Sequence, residues 1–171
     1  MIKRSEVYRA LKPDLFGQEG PTKELAIRIL ERVDPDSPEV LKQLIQKAPP
    51  SSPSATYARD SLNAKRSEVV LSFFDDRKFV REAAWDNIRR NWKEDVRTAA
   101  MLLDTVESYR QNPDRIYSTA AILKYFSTGV LQANRSSVEK FFNTIPSGDA
   151  NWAKTQGEIA LAKSKLNSST R

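Results

Sequence analysis

The sequence predicts an all-α fold, and three observations lead there. Apolar residues recur at helical spacing in nearly every segment, and no segment alternates cleanly between apolar and polar residues as a half-buried strand would. The segments are short and punctuated by helix starters and stoppers, including nine prolines. The connections between them are tight, which favours antiparallel neighbours stacked in order, about eight or nine short helices in all.

In chain order, "SEVYRAL" stops at Pro13, which cannot continue a helix. Thr22 can cap "KELAIRILERV", where Leu25, Ile29 and Val33 align at four-residue spacing. Next, Ser37 is an N-cap with Pro38 at the favoured first position, and Val40, Leu41, Leu44, Ile45 and Ala48 form the apolar stripe. "APPSSPS" at 48–54 has three prolines in seven residues and forbids regular helix. It reads as a Pro/Ser-rich loop between N-terminal helices (1–47) and a helical stack (55–166). Fifty residues with so few large apolar side chains make a marginal core alone, so a single domain over 1–166 is expected, followed by a frayed tail at 167–171.

Beyond the loop, short helices are expected at 54–63 and 65–74, separate or run together through Asn63, then at 77–91 and 94–109. Asn112 and Pro113 open another that runs to about Thr128, with Gly129 as its C-cap. In "SSVEKFFNTIP", Ser136 and Glu139 have capping-box spacing. Val138, Phe141, Phe142 and Ile145 make an apolar face there, and Pro146 ends the helix. Asp149 caps the last helix, which carries Trp152, Ile159, Ala162 and Leu166.

Composition removes whole classes of chemistry. Cysteine and histidine are both absent, so Ser-His-Asp and Cys-His systems and the usual zinc sites are excluded. Neither GxGxxG nor GxxxxGK[ST] occurs, and five glycines leave few loops able to wrap a cofactor. The expectation is a non-enzymatic protein with no catalytic residue, metal or cofactor. Charge interrupts "MIKRSEVYRALKPD" before any signal-peptide apolar region forms, and "AAMLL" at 99–103 is far too short to span a bilayer. A cysteine-free chain fits a reducing cytoplasm, and no membrane partner is expected.

The net charge of +6 is spread thinly. Residues 1–64 hold 10 basic and 9 acidic side chains, residues 65–110 again 10 and 9, and residues 111–171 hold 8 and 4. A nucleic-acid binder concentrates basic residues on one face, because each neutralised phosphate adds to affinity. The most basic piece is the last helix and tail, with Lys154, Lys163, Lys165 and Arg171. These are a candidate patch for phosphate or an acidic protein, or else a solvated face.

"DDRKFVREAAWDNIRRNW" at 75–92 sets two tryptophans among five basic residues. At about 100° per residue from Phe79, residues Phe79, Val80, Ala83, Ala84 and Ile88 form a stripe centred near 95°. Trp85 falls at about 240°, Trp92 at about 220°, Arg81 at about 200° and Arg89 at about 280°. One reading makes Arg81, Trp85, Arg89, Trp92 and Lys93 an exposed interaction surface, since Trp and Arg dominate binding hot spots. The other packs both indoles on a neighbouring helix beneath arginine cation–π contacts, and the usual burial of Trp favours it. Asp86 and Arg90 read as a solvated i, i+4 pair. Asp75 and Asp76 read as helix-start partners, not a catalytic pair. Tyr117, Tyr125 and Phe126 share helical spacing with Ile116, Ala120 and Leu123 and read as core.

Two features resemble a repeat array. "KRSEV" occurs at 3–7 and 65–69, each copy opening a helix followed by a turn and a second helix. "DDRKFVREAAWDNI" resembles the second-helix signature of HEAT-like repeats, through Asp75 or Asp76, Val80 with Arg81, Ala84 and Ile88. "EDVRTAAMLL" repeats the wording at Val96, Arg97, Ala99 and Ala100, only 16 residues later, so the units are irregular. The resemblance implies an α-solenoid in which small alanines let helices approach and the arginine reaches acidic groups of the next repeat. It also implies a non-enzymatic adaptor or scaffold that binds another protein through a face of its stacked helices. The alternative is a nucleic-acid backbone binder using the basic residues, with Arg81, Arg89, Arg90 and Lys93 contributing. A third reading is a HEAT-like DNA glycosylase, a family that works with Trp, Arg and Asp on alkylated bases; no catalytic Asp is assigned. The oligomeric state stays open.

Overall fold

A computed structural model describes residues 37–168, preceded by 25, 28, 29, 31 and 32, which are helical. The expected first helix with its Pro13 stop, the Thr22 cap, Val33, the first "KRSEV" copy and Arg171 lie outside the described residues. The described residues form eight α-helices and no strand, so the fold is all-α. The chain divides into two compact units, Met1–Lys65 and Arg66–Arg171.

In the first unit, helix α1 (Pro38–Lys47) starts as its sequence requires. Ser37 accepts a hydrogen bond from the Val40 N–H, and Pro38 occupies the first turn, where a missing N–H costs nothing. Val40 and Leu41 are buried. The proline-rich loop is shorter than expected, because Pro53 opens α2 (Pro53–Phe73) and the Ser52 hydroxyl accepts from the Ala55 N–H at 3.2 Å. Helix α2 is continuous over 21 residues and crosses the boundary between the units. Nothing between 54 and 73 is Gly or Pro, and a lone Asn63 costs only about 0.7 kcal/mol relative to Ala, too little to end a helix.

The second unit holds α3 (Lys78–Asn87), extended by a π-helical turn Ile88–Trp92, then α4 (Val96–Val106) and a 3-10 turn Glu107–Tyr109. It continues with α5 (Pro113–Leu123), α6 (Thr128–Ala133), α7 (Arg135–Asn143), a 3-10 turn Ala150–Trp152 and α8 (Ala153–Asn167). Asp95, Asn112, Ser127 and Asp149 each accept a backbone N–H at the start of an element.

Two expected boundaries move. Helix α5 stops at Leu123, not Thr128, so that Phe126 can turn into the core and the Ser127 N–H can donate to the Lys93 carbonyl at 3.0 Å. Gly129 therefore sits inside α6 and caps nothing. Helix α7 starts at Arg135, and no Ser136–Glu139 capping box forms. Instead Asn134 donates to the carbonyls of Val96 and Val130, both at 3.0 Å, and Glu139 accepts from Arg135 at 2.8 Å. The apolar face Val138, Phe141, Phe142 and Ile145 is buried as its spacing predicts.

Helix α4 packs on α5, α6 and α7, while α8 lies along α5 and touches α6. Leu102, Ile122, Leu123, Phe126, Leu131 and Ile159 fill the space between them. Each such side chain stabilises the fold by about 1.5–3 kcal/mol relative to exposure. No described helix is long and apolar enough to cross a membrane.

Candidate functional site: the aromatic cleft beside α3

Helix α3 is rotated from the orientation its small apolar residues suggest. Ala84, Ile88 and Trp92 are buried and Arg81 and Trp85 half-buried, whereas Phe79 is 68% exposed and Ala83 also faces solvent. The inward direction is thus near 180° on the scale used above, not 95°. Two indoles offer far more apolar area than a phenyl ring and an alanine, so the helix turns to cover them. Of the HEAT-like positions, Ala84, Ile88 and Ala99 are buried, but Val96 is open to solvent.

The turn has different consequences for the two tryptophans. Trp92, at 2% exposure, belongs to the core and is no part of an interaction surface. The Arg66 guanidinium lies 5.7 Å over its ring and forms a buried bidentate pair with Asp95, at 2.9 and 3.0 Å. Asp95 also accepts from the Thr98 N–H at 2.8 Å and the Thr98 hydroxyl at 3.1 Å. Every strong group there meets another, so the cluster ties the end of α2 to the start of α4. Trp85 is half-buried. It stacks on Phe73 at 6.0 Å and meets the edge of Tyr125 at 6.1 Å.

The other expected surface residues separate. Arg89 pairs with Asp86 at 3.1 Å and lies 5.7 Å over Tyr125. Arg90 pairs with the other Asp86 oxygen at 3.3 Å, as the i, i+4 spacing predicts. Lys93 is exposed at the end of the π turn. Arg81 does not reach toward another repeat; its Nη1 donates to the carbonyls of Asp75 and Asp76, at 2.9 and 2.6 Å, and holds the turn before its own helix. Asp75 is tied to that turn too. It accepts from the Arg77 backbone at 2.8 Å and from its side chain twice at 2.9 Å. These hydrogen bonds from Arg77 bring the Asp75 carboxyl down to about 2.

Sequence reasoning missed Arg115. It is buried, yet its Nη2 reaches the Asp75 carbonyl at 2.9 Å and lies 3.6 Å from an Asp76 oxygen. Its only local mark is its place as the third residue of a capped helix, which says nothing about a turn forty residues earlier. Arg81 and Arg115 thus converge on one turn. Beside it opens a cleft of about 510 Å³, with Phe73, Trp85 and Tyr117 as aromatic lining and Arg81 and Arg115 as guanidinium lining. That volume is within the range of pockets that hold ligands or side-chain anchors. Tyr117 and Tyr125, expected in the core, stay open to solvent, whereas Phe126 is buried together with Ile116, Ala120 and Leu123.

The three lysines of α8 do not form one patch. Lys154 and Lys163 are about 180° apart around the helix, and the Lys165 Nζ donates to the Lys124 carbonyl at 3.1 Å. Lys163 is over the Phe142 ring at 5.7 Å. Lys124 in turn pairs with Glu158 at 2.7 Å, which raises its ammonium above the usual lysine value. Among the described residues no three acidic side chains group as metal ligands. No family model, curated protein or solved structure matches the chain.

Proposed function

We propose that this chain is a non-enzymatic helical-repeat adaptor that binds another protein through the α3–α5 face, with the cleft at Trp85 as its anchor. The carrying observation is the placement of Trp85: half-buried, braced by Phe73 and Tyr125, and lining an open cleft. A rigid aromatic on a supported wall loses little conformational entropy when a partner covers it. The helix pairings support the HEAT-like resemblance. If α6 and α7 are taken as one rod bent at Asn134, the pairings among α4, α5, that rod and α8 each link a next or next-but-one neighbour, as in a layered stack.

A pull-down of tagged protein, with and without nuclease, against Trp85→Ala tests this reading. The expected result is a variant that stays folded, with its melting temperature lowered by only a few degrees, and that loses a protein partner resistant to nuclease. A partner retained by the variant, or one that disappears on nuclease treatment, sinks it.

A further inference from the structure

Resting on that reading, we infer that the cleft takes an acidic segment of the partner, with an Asp or Glu carboxylate at Arg115 and Arg81 and a neighbouring apolar side chain against Trp85. Arg115 is the most buried charged residue of the cleft lining, at 6% exposure, and its buried Nε has no hydrogen-bond partner among the described residues. Its Nη2 is held by a backbone carbonyl, a neutral acceptor that leaves the guanidinium charge in place. Arg81 is held the same way, by two carbonyls through one nitrogen. A planar guanidinium with unused donors is matched by a carboxylate, which accepts on two oxygens.

The acidic residues near the cleft do not fill this role. Asp86 is taken by Arg89 and Arg90, and Glu82 faces Lys78 at 3.7 Å. Asp76, 3.6 Å from Arg115, is fully solvated and weakly bound, since an exposed carboxylate is well screened. Asp114 alone remains against two guanidiniums, so the balance favours an incoming anion over a cation. Residues 66–171 carry 17 basic and 13 acidic side chains, which steers the same class of partner. Trp85 and Tyr117 supply the apolar wall that a free inorganic anion would not need.

The test is titration of the full chain with a fluorescent blocked peptide of alternating Glu and Leu, with its Gln–Leu counterpart and an oligothymidylate as competitors. The Glu peptide should bind, the Gln peptide about tenfold or more weaker, and added salt should weaken the complex. Arg115→Gln risks the fold, so Arg81→Gln and Ser118→Glu, at half-buried lining positions, carry the test. Each should cost at least about tenfold in affinity, or about 1.4 kcal/mol, with the melting temperature nearly unchanged in Ser118→Glu and lowered by a few degrees in Arg81→Gln, which gives up the two turn hydrogen bonds. Equal binding of both peptides, no binding of the Glu peptide at about 1 mM, or displacement by oligothymidylate overturns the inference. If one of these occurs while the pull-down still yields a Trp85-dependent protein partner, the adaptor reading stands and the acidic occupant alone falls.

Discussion

The two ends of α3 use arginine and tryptophan in opposite ways. At the C-terminal end, Arg66 lies over Trp92, both oxygens of Asp95 accept from the guanidinium, and the whole cluster is closed to water. At the N-terminal end, Arg81 and Arg115 hold backbone carbonyls, the nearest carboxylate to Arg115 is the solvated Asp76 at 3.6 Å, and Trp85 lines an open cleft. The same residue types make a closed structural joint in one place and line an open cleft in the other. The difference lies in whether a buried carboxylate accepts from the guanidinium on both of its oxygens.

The largest test of that contrast is Asp95→Ala. It takes the Asp95 carboxylate away from the buried Arg66 guanidinium and removes a helix cap, so unfolding by denaturant should show a loss of about 3–5 kcal/mol. A loss below about 1 kcal/mol would mean that the joint is not closed. Trp92→Ala should cost about 3–5 kcal/mol through the cavity it leaves. Trp85→Ala, at a half-buried position, should cost about 1–2 kcal/mol in the same assay. Equal costs for the two would erase the distinction between joint and surface. Asp86→Ala, which breaks exposed pairs with Arg89 and Arg90, should change stability by about 0.5 kcal/mol or less.

The smallest effect is at the turn. The Asp75 carboxyl drops from 3.8 to about 2 in the folded chain, mainly through the Arg77 side chain. Its contribution is therefore complete above pH 3.8 and fades as pH falls through about 2. An NMR titration of the Asp75 side chain should place the midpoint near 2, and a midpoint at the ordinary carboxylate value would show the turn to be loose.

Local chemistry was legible. Ser37 with Pro38, Asn112 with Pro113, Asp149, and the Val138–Phe141–Phe142–Ile145 face all act as their spacing says, because caps and apolar faces are properties of a few adjacent residues. What escaped depends on partners distant in sequence. Arg66 meets Asp95 across 29 residues, and Arg115 meets Asp75 across 40. Nothing in either neighbourhood names the other. Of the candidate surface, Arg81 and Trp85 line the cleft and Trp92 is buried as the packing reading expects, whereas Phe79 and Ala83, placed in the apolar stripe, face solvent. The error came from treating apolar residues as equal when judging which side of α3 turns inward, although an indole outweighs an alanine.

The π turn at Ile88–Trp92 has a separate meaning for chain length. Its hydrogen bonds span five residues where an α-helix spans four, so this helix carries one residue more than an α-helical path over the same rise needs. A surplus residue of this kind is taken up within one wide turn of the helix. The wide turn lies between two buried points of the fold, Ala84 before it and Asp95 after it.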